Sequence, residues 1–356
     1  MHEWELIEAY DEAQDVRGTS ALRGPEWNGD REREMRSISS LLMNKQSQKS
    51  NMPGENGKEE NMGFQKFVDS IVDLLQERMG DAYEIRVLHV TKNNDVEQTG
   101  IAIARQEDSI FPTIYLEGLY QEYREGELLG VLVERIINCH EEQSMALDLD
   151  LDFFRDYGRV KDRIFYKLVS FEKNKKFLRD APHLRWHDLA IVFYYALEEN
   201  MVEGGSITIK RQHMLMWKQN AESLYRTARR NTKRGMPELL VSMRELIAEM
   251  TGVTVREDDA TPMYVLTNQE KRFGASAMLY SEKIGRLAEK FGCDVLILPS
   301  SIHEVLLIPD DHVREYAFYR QMVEEVNRTQ VEPEEVLSYG LYRYCRKKSE
   351  IEEIIS

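Results

Sequence analysis

Residues 297–309 read ILPSSIHEVLLIP, and this stretch decides which class of fold the sequence indicates. Two aliphatic runs, 297–299 and 305–309, enclose the five residues SSIHE. Short aliphatic runs bounded by turn residues are typical of strands that are buried on both faces. Serine is a frequent turn residue because its hydroxyl bonds nearby backbone groups. The stretch therefore predicts two buried strands joined by a polar turn.

Strand pairs of this kind alternate with helical patterns along the chain. Two β-rich runs flank KNND at 92–95, a strong hairpin signal, and a second strand pair is predicted at 187–197 and 205–212. Apolar residues at helical spacing predict a helix ending at Gly80, and further helices over 153–178, 221–234 and 237–252. The predicted fold class is α+β, with antiparallel β-hairpins packed against helices in one large or two closely packed domains.

The predicted domain organisation has three parts. Residues 1–61 form an N-terminal extension, mostly flexible and with short helices, because 44–63 is polar and contains Gly, Pro and Asn. Residues 62–180 hold a hairpin plus helices. Residues 181–350 form a mixed α+β part that contains the YVLTN and ILPSSIHEV segments.

Charge and composition exclude several classes of protein. The net charge of −16 opposes general binding to nucleic acids and anionic membranes, which are polyanions themselves. The acidic N-terminus lacks a signal-peptide core, and no apolar run reaches the ~20 residues of a membrane helix. Three scattered cysteines, Cys139, Cys293 and Cys345, are typical of a reducing compartment. We therefore expect a cytoplasmic protein with no membrane partner and no cofactor.

Several motifs resemble those of a known family. They are KNNDVEQTGIAI, FPTIYLEGLYQEYREG, HDLAIVFYY, NAESLYRTARRNT, YVLTNQ, GASAMLY, ILPSSIHEVLLIP and MVEEVNRTQVEPEEVLS. Together they make residues 63–350 similar to the bacterial family catalogued as domain of unknown function five-six-eight-eight. The resemblance implies no activity, ligand or catalytic residue. It implies a natural start near Met62, with residues 1–61 an upstream extension or a start-site error. The alternative is that residues 1–61 are a real, lineage-specific tail.

The SSIHE segment contains candidate catalytic residues. Ser300 or Ser301 as a nucleophile, His303 as its base and Glu304 as the orienting carboxylate would make a hydrolase site. Neighbouring residues on a strand point to opposite faces, however, and the GxSxG elbow is absent because Leu298 and Pro299 precede Ser300. A turn that is structural or contacts a ligand is the alternative, and the local pattern favours it.

Three acidic or histidine-containing motifs resemble metal sites only in part. Asp148, Asp150 and Asp152 alternate, but Phe153 and Arg159 stand where an EF-hand loop needs Gly and Glu. The zincin pattern HExxH is broken in CHEEQS at 139–144, and His183 and His187 follow a proline that makes a helix there doubtful. No metal site is predicted.

The helix predicted over 221–234 carries the densest basic pattern. Arg226, Arg229, Arg230 and Lys233 have the i, i+3, i+4, i+7 spacing of one helix face, and Tyr225 and Trp217 supply nearby aromatic rings. Such a face is either a solvated surface near the helix C-terminus or a site for a polyanion or an acidic protein.

Three functional hypotheses follow from these patterns. The first is a non-enzymatic binding protein that contacts a protein or small ligand through its hairpin loops. The second is a hydrolase using the SSIHE residues. The third is a polyanion- or nucleic-acid-associated protein using the basic helix, which the global charge disfavours without excluding it.

Overall fold

The computed structural model describes residues 4–5, 7–8, 63–104, 110–111, 113–144, 151–197, 205–251, 262–312 and 315–355. Strands β1 to β16 are, in chain order, Trp4–Glu5, Ile7–Glu8, Glu84–Thr91, Glu97–Ala104, Ile110–Phe111, Thr113–Tyr115, Ile164–Ser170, His183–Trp186, Leu189–Ala196, Gly205–Thr208, Glu238–Ser242, Tyr264–Asn268, Asp294–Pro299, Val305–Asp310, Tyr342–Cys345 and Glu350–Glu353. Helices α1 to α10 are Phe64–Met79, Glu117–Arg124, Leu129–Ser144, Tyr157–Val160, Phe177–Asp180, Arg211–Met216, Ala221–Gly235, Met243–Thr251, Lys283–Phe291 and Tyr316–Thr329. Short 3-10 helices lie at Asn93–Asp95, Leu151–Arg155, Lys161–Arg163 and Gly274–Leu279.

The chain divides into two compact units. The first comprises Met1–Lys92, Glu97–Leu151 and Ala196–Thr208, and the second comprises Asn93–Val96, Asp152–Tyr195 and Ile209–Ser356. The chain thus passes between the units several times, and neither unit is a single continuous segment.

The first unit packs helices on a small sheet. Strands β3, β4 and β6 form an antiparallel sheet in the order β3–β4–β6. Its core joins α1, α3 and β4 through side chains that are almost fully buried, among them Phe67, Ile71, Ile101, Leu132 and Ile136. The apolar spacing that predicted α1 is therefore the spacing of its buried face.

Two very short strands at the N-terminus also belong to this unit. β1 pairs in parallel with β10, and β2 pairs antiparallel with β5. These four residues do not belong to the short helices predicted within 1–61, because backbone pairing with distant strands fixes an extended conformation there. The remaining predictions for 1–61, including the flexible linker, lie outside the described residues.

The second unit is built around a six-stranded antiparallel sheet in the order β11–β12–β14–β13–β15–β16. β13 and β14, the two predicted strands of 297–309, lie at its centre, and their residues Val295–Leu298 and Val305–Ile308 are buried. Continuous burial explains why both sequences are aliphatic without polar alternation. The helix α9 packs against β13 and β14, and α10 packs against β13.

A second sheet in this unit holds the strand on which the basic helix packs. β9 pairs antiparallel with β7 along seven residues and with β8 along four. The helix α7 packs on β7. Antiparallel strands packed with helices confirm the predicted α+β class.

Two helix predictions are wrong in this unit. The predicted helix over 153–178 contains β7, and the first part of the predicted helix over 237–252 is β11, which α8 follows. Each stretch has apolar residues at spacings compatible with a helix or a strand. Pairing of β7 with β9, and of β11 with β12, decides the conformation because the ladder satisfies the backbone groups that face the partner strand.

Candidate functional site: a basic groove beside a hydrogen-bonded turn

The five residues Ser300–Glu304 connect β13 to β14, whose register ends with Pro299 opposite Val305. In this 300–304 turn, the Ser301 hydroxyl donates to Glu304 Oε1 at 3.0 Å and accepts from the His303 backbone N–H at 3.0 Å. Ser300, Ser301 and Glu304 are all buried. The serine therefore closes the turn through short-range hydrogen bonds, as serine does in other turns.

The imidazole of His303 is directed to other partners. Its Nδ1 accepts from the Phe273 backbone N–H at 3.3 Å, and its ring stacks on the Phe273 ring with centroids 5.9 Å apart. Its Nε2 lies 3.7 Å from Oε1 of Glu335, and its carbonyl accepts from the Thr267 hydroxyl. Among the described residues, no hydrogen bond joins the Ser301 hydroxyl to the His303 ring. The turn brings Ser301, His303 and Glu304 together, but their side-chain contacts hold the chain in place, and Ser300 is buried beside them.

The other polar motifs lie apart from one another. Asp148 and Asp150 lie outside the described residues. His140 is buried edge-on against Tyr83, and the Nδ1 atom of His183 lies 2.9 Å from the Ala181 carbonyl oxygen. Within the described ranges, no group of three His, Cys, Asp or Glu side chains is arranged to hold a metal ion. The described helices also include none long and apolar enough to span a membrane.

The basic helix α7 is fixed to its unit by a polar cap and a buried face. At its N-terminus, Asn220 Oδ1 accepts from the Ser223 N–H at 2.8 Å, and Ser223 Oγ accepts from the Asn220 N–H at 3.0 Å. On the buried face, the Asn231 amide donates to the carbonyls of Lys161 and Ile164. These bonds set the rotation of the helix, so the opposite face is exposed.

That exposed face carries five cations. They are Arg226, Arg229, Arg230, Lys233 and Arg234, and all are exposed. Lys233 Nζ lies 2.9 Å from Oε1 of Glu282, and the Arg230 guanidinium lies 3.9 Å from Oδ1 of Asp162. Arg226, Arg229 and Arg234 make no hydrogen bond or ion pair with any other residue that the structure describes. Three guanidinium groups on one helix therefore keep all their donors available.

These cations line an open groove of about 600 Å³, here called the α7 groove, which is formed by Tyr225, Arg226, Arg229, Arg230, Lys233, Arg234 and Tyr280. The Tyr280 hydroxyl donates to the Met236 carbonyl at 2.7 Å, and burial raises the pKa of this phenol above its usual range. Tyr225 is half-buried, with its ring tilted against that of Tyr166 at 5.8 Å. The groove thus has a row of cations along one wall and phenol rings at its base.

A buried phenol lies close to the groove. Tyr166 on β7 is fully buried, and its hydroxyl has no hydrogen-bond partner among the described residues. Burial raises the pKa of this phenol, and Tyr225 and Tyr280 raise it further. The hydroxyl therefore stays protonated, because desolvation opposes the phenolate.

The sequence identified part of this groove. Arg226, Arg229, Arg230 and Lys233 were predicted as one face, and the structure places all four on it. Arg234 was missed, although it follows Arg230 by one helical turn. Tyr280 was missed because it belongs to the distant GASAMLY motif, and no local signal relates it to α7. Trp217, considered as a stacking ring, is buried, and its indole N–H donates to the Phe154 carbonyl.

Fold and site together define an α+β protein with a cationic surface groove. Residues 64–346 match the model of a family described as Family of unknown function (DUF5688), and the chain belongs to this family. The resemblance seen in its motifs is thereby confirmed. No curated protein and no solved structure matches the chain. The family assigns no activity, so a functional proposal depends on the groove itself.

Proposed function

We propose that this protein is a binding protein whose α7 groove holds an anionic partner. The observation that carries the proposal is the set of three arginines, Arg226, Arg229 and Arg234, with no acidic partner among the described residues. Surface cations elsewhere in the described chain commonly lie beside a carboxylate, as Arg135 does beside Glu122 and Lys348 beside Glu352.

The overall charge makes this local arrangement informative. The chain has 63 acidic and 47 basic residues, so most surface positions offer a carboxylate nearby. Three guanidiniums left free in such a chain repel one another at short range and contribute little to the stability of the helix. They attract an anion strongly, because the two acids described beside the groove, Asp162 and Glu282, lie next to Arg230 and Lys233 and not next to these three arginines.

The chemistry of the side chains narrows the partner. Four of the five cations are arginines, whose planar forks bind phosphate and carboxylate groups through two parallel hydrogen bonds. The proposal keeps the predicted class, a binding protein, and places its binding surface on the basic helix α7 instead of the hairpin loops. The support for this move is that the Ser301 hydroxyl and Glu304 carboxylate of the 300–304 hairpin turn already bond each other, whereas the groove donors are free.

Titration calorimetry with inorganic tripolyphosphate tests the proposal. Wild-type protein is expected to bind it, with an affinity that falls as salt rises. The variant Arg226→Gln/Arg229→Gln/Arg234→Gln is expected to bind at least about tenfold more weakly, since three charge-assisted contacts are lost. Glutamine retains helix propensity, so α7 is preserved.

A matched variant controls for net charge. Lys66→Gln/Arg124→Gln/Lys347→Gln removes three exposed cations that do not line the groove. It should bind tripolyphosphate like the wild type. Equal weakening in both variants, or no binding by the wild type, would show that the groove is not an anion site.

A further inference from the structure

The cations of the α7 groove form a row and do not converge on one point. Arg226 and Arg234 are eight residues apart on one helix, which separates them by about 12 Å along its axis. A single phosphate or carboxylate contacts only two or three of these donors at once. A row of this length instead matches an anion with several consecutive charged groups.

The lining of the groove disfavours an acidic peptide. Stable protein partners bury an apolar centre in which aliphatic and aromatic anchors fill pockets. Apart from Tyr225 and Tyr280, the lining is entirely cationic, and Tyr280 is almost buried. Among the described residues, the large apolar side chains that are exposed, such as Leu128, Leu215 and Phe318, lie outside it. A partner held mainly by its charges fits this surface better.

The aromatic ring in the lining favours a single strand over a duplex, because only an unpaired base can stack on such a ring. Tyr225, half-buried beside Arg226, adds a ring on which a base can stack in part.

We infer that the anionic partner of the α7 groove is a single-stranded nucleic acid, bound through consecutive phosphates with little sequence preference. This inference rests on the proposed anion-binding function and names the class of partner for it. Arg226, Arg229 and Arg234 contact the backbone, and Tyr225 contacts a base. The negative charge of the rest of the chain confines the strand to this groove and weakens binding elsewhere.

Fluorescence anisotropy with labelled oligo(dT) tests the inference on the full-length chain. We expect the logarithm of the binding constant to fall with the logarithm of the salt concentration. The expected slope is about −2, because each of the three phosphates contacted by arginines contributes about −0.7. The Arg226→Gln/Arg229→Gln/Arg234→Gln variant should bind at least tenfold more weakly and show a slope near zero. The Lys66→Gln/Arg124→Gln/Lys347→Gln control should retain both the affinity and the slope.

Substitution of Tyr225 distinguishes binding of a nucleic-acid strand from binding of a simple polyphosphate. Tyr225→Leu keeps apolar bulk against Tyr166 and removes the ring, so it should weaken oligo(dT) binding severalfold and tripolyphosphate binding much less, because only a base stacks on the ring. Tyr225→Phe should restore oligo(dT) binding. A thermal melt of each variant establishes that it is folded.

The outcomes distinguish the two proposals. Tighter binding of a duplex or of an acidic peptide than of oligo(dT) would overturn the single-strand inference and leave the anion site standing. Binding of tripolyphosphate without oligo(dT) would do the same. Absence of binding to every anion would remove both.

Discussion

The 300–304 turn and the α7 groove use polar residues in opposite ways within the same unit. The Ser301 hydroxyl and Glu304 carboxylate of the turn are buried and hydrogen-bonded to each other. The groove's arginines are exposed, and three of them have no ion pair among the described residues. Buried polar groups require partners because desolvation is costly, whereas exposed charges are solvated and need none. Spare donors therefore mark the groove, and not the serine-histidine motif, as the better place to look for a ligand.

The largest expected effect tests how tightly the region around the turn is packed. A methyl group on Gly274 would lie 2.0 Å from Thr267 Oγ1 and 2.4 Å from the His303 carbonyl oxygen. We expect Gly274→Ala to lower the free energy of unfolding by about 3 kcal/mol or more, because backbone must move. Urea denaturation measures it. Gly118→Ala, with open space around its Cβ, is the control and should be neutral or slightly stabilising. A small loss at Gly274 would mean that the turn is loosely packed.

A second prediction contrasts the solvated groove cations with a buried histidine on α6. His213 packs edge-on against Phe154, and its Nδ1 accepts from the Lys210 N–H at 3.2 Å. Burial, and after it the nearby Lys210 charge, lower the pKa of His213 to about 4.

The sign of the resulting pH dependence follows from this shift. The unfolded chain binds the proton near pH 6.5 and the folded chain only near pH 4. The stability that the neutral His213 imidazole contributes is therefore fully present above pH 6.5 and is lost as the pH falls toward 4. The full loss is about 3 kcal/mol. Urea denaturation at several pH values should show the stability advantage of wild type over His213→Gln shrinking across this window. A constant difference would mean that the imidazole is accessible to water when folded.

The third prediction compares one residue from each region. Ser301→Ala removes the acceptor of the His303 N–H and a donor to Glu304, and should cost about 1–3 kcal/mol of unfolding free energy. Arg229→Gln removes no pair and should change stability by less than about 0.5 kcal/mol. Thermal melts of both variants measure the contrast. If Ser301→Ala left the stability unchanged and a fluorophosphonate labelled the wild-type serine, the turn would again be a candidate hydrolase site.

The smallest effect concerns the two phenols near the groove. Tyr166→Phe removes a buried hydroxyl without a partner and should stabilise the protein by up to about 1 kcal/mol. Tyr280→Phe removes the bond to the Met236 carbonyl and should destabilise it by a similar amount. Chemical denaturation of the two variants measures the change in the free energy of unfolding of each, and the two changes should have opposite signs. A loss in Tyr166→Phe would show that this hydroxyl has a partner, such as a bound water.

Local pattern determined much of this protein by itself. The aliphatic runs of β13 and β14, the cap of α7 at Asn220 and the α+β class follow from short-range periodicity and turn chemistry. So does the shared face of Arg226, Arg229, Arg230 and Lys233, because helix geometry fixes which residues lie side by side.

Only the tertiary structure decided the rest. β7 and β11 are strands because distant partners pair with them, and no local signal specifies such pairing. Whether each polar group has a hydrogen-bond or ion-pair partner likewise depends on residues far away in sequence. His303 meets Phe273, Tyr280 reaches the groove beside α7, and Arg226 meets no acid among the described residues. The sequence shows which side chains can take part in chemistry. Packing decides which of them stay unpaired, because buried polar groups need partners and exposed groups are solvated by water.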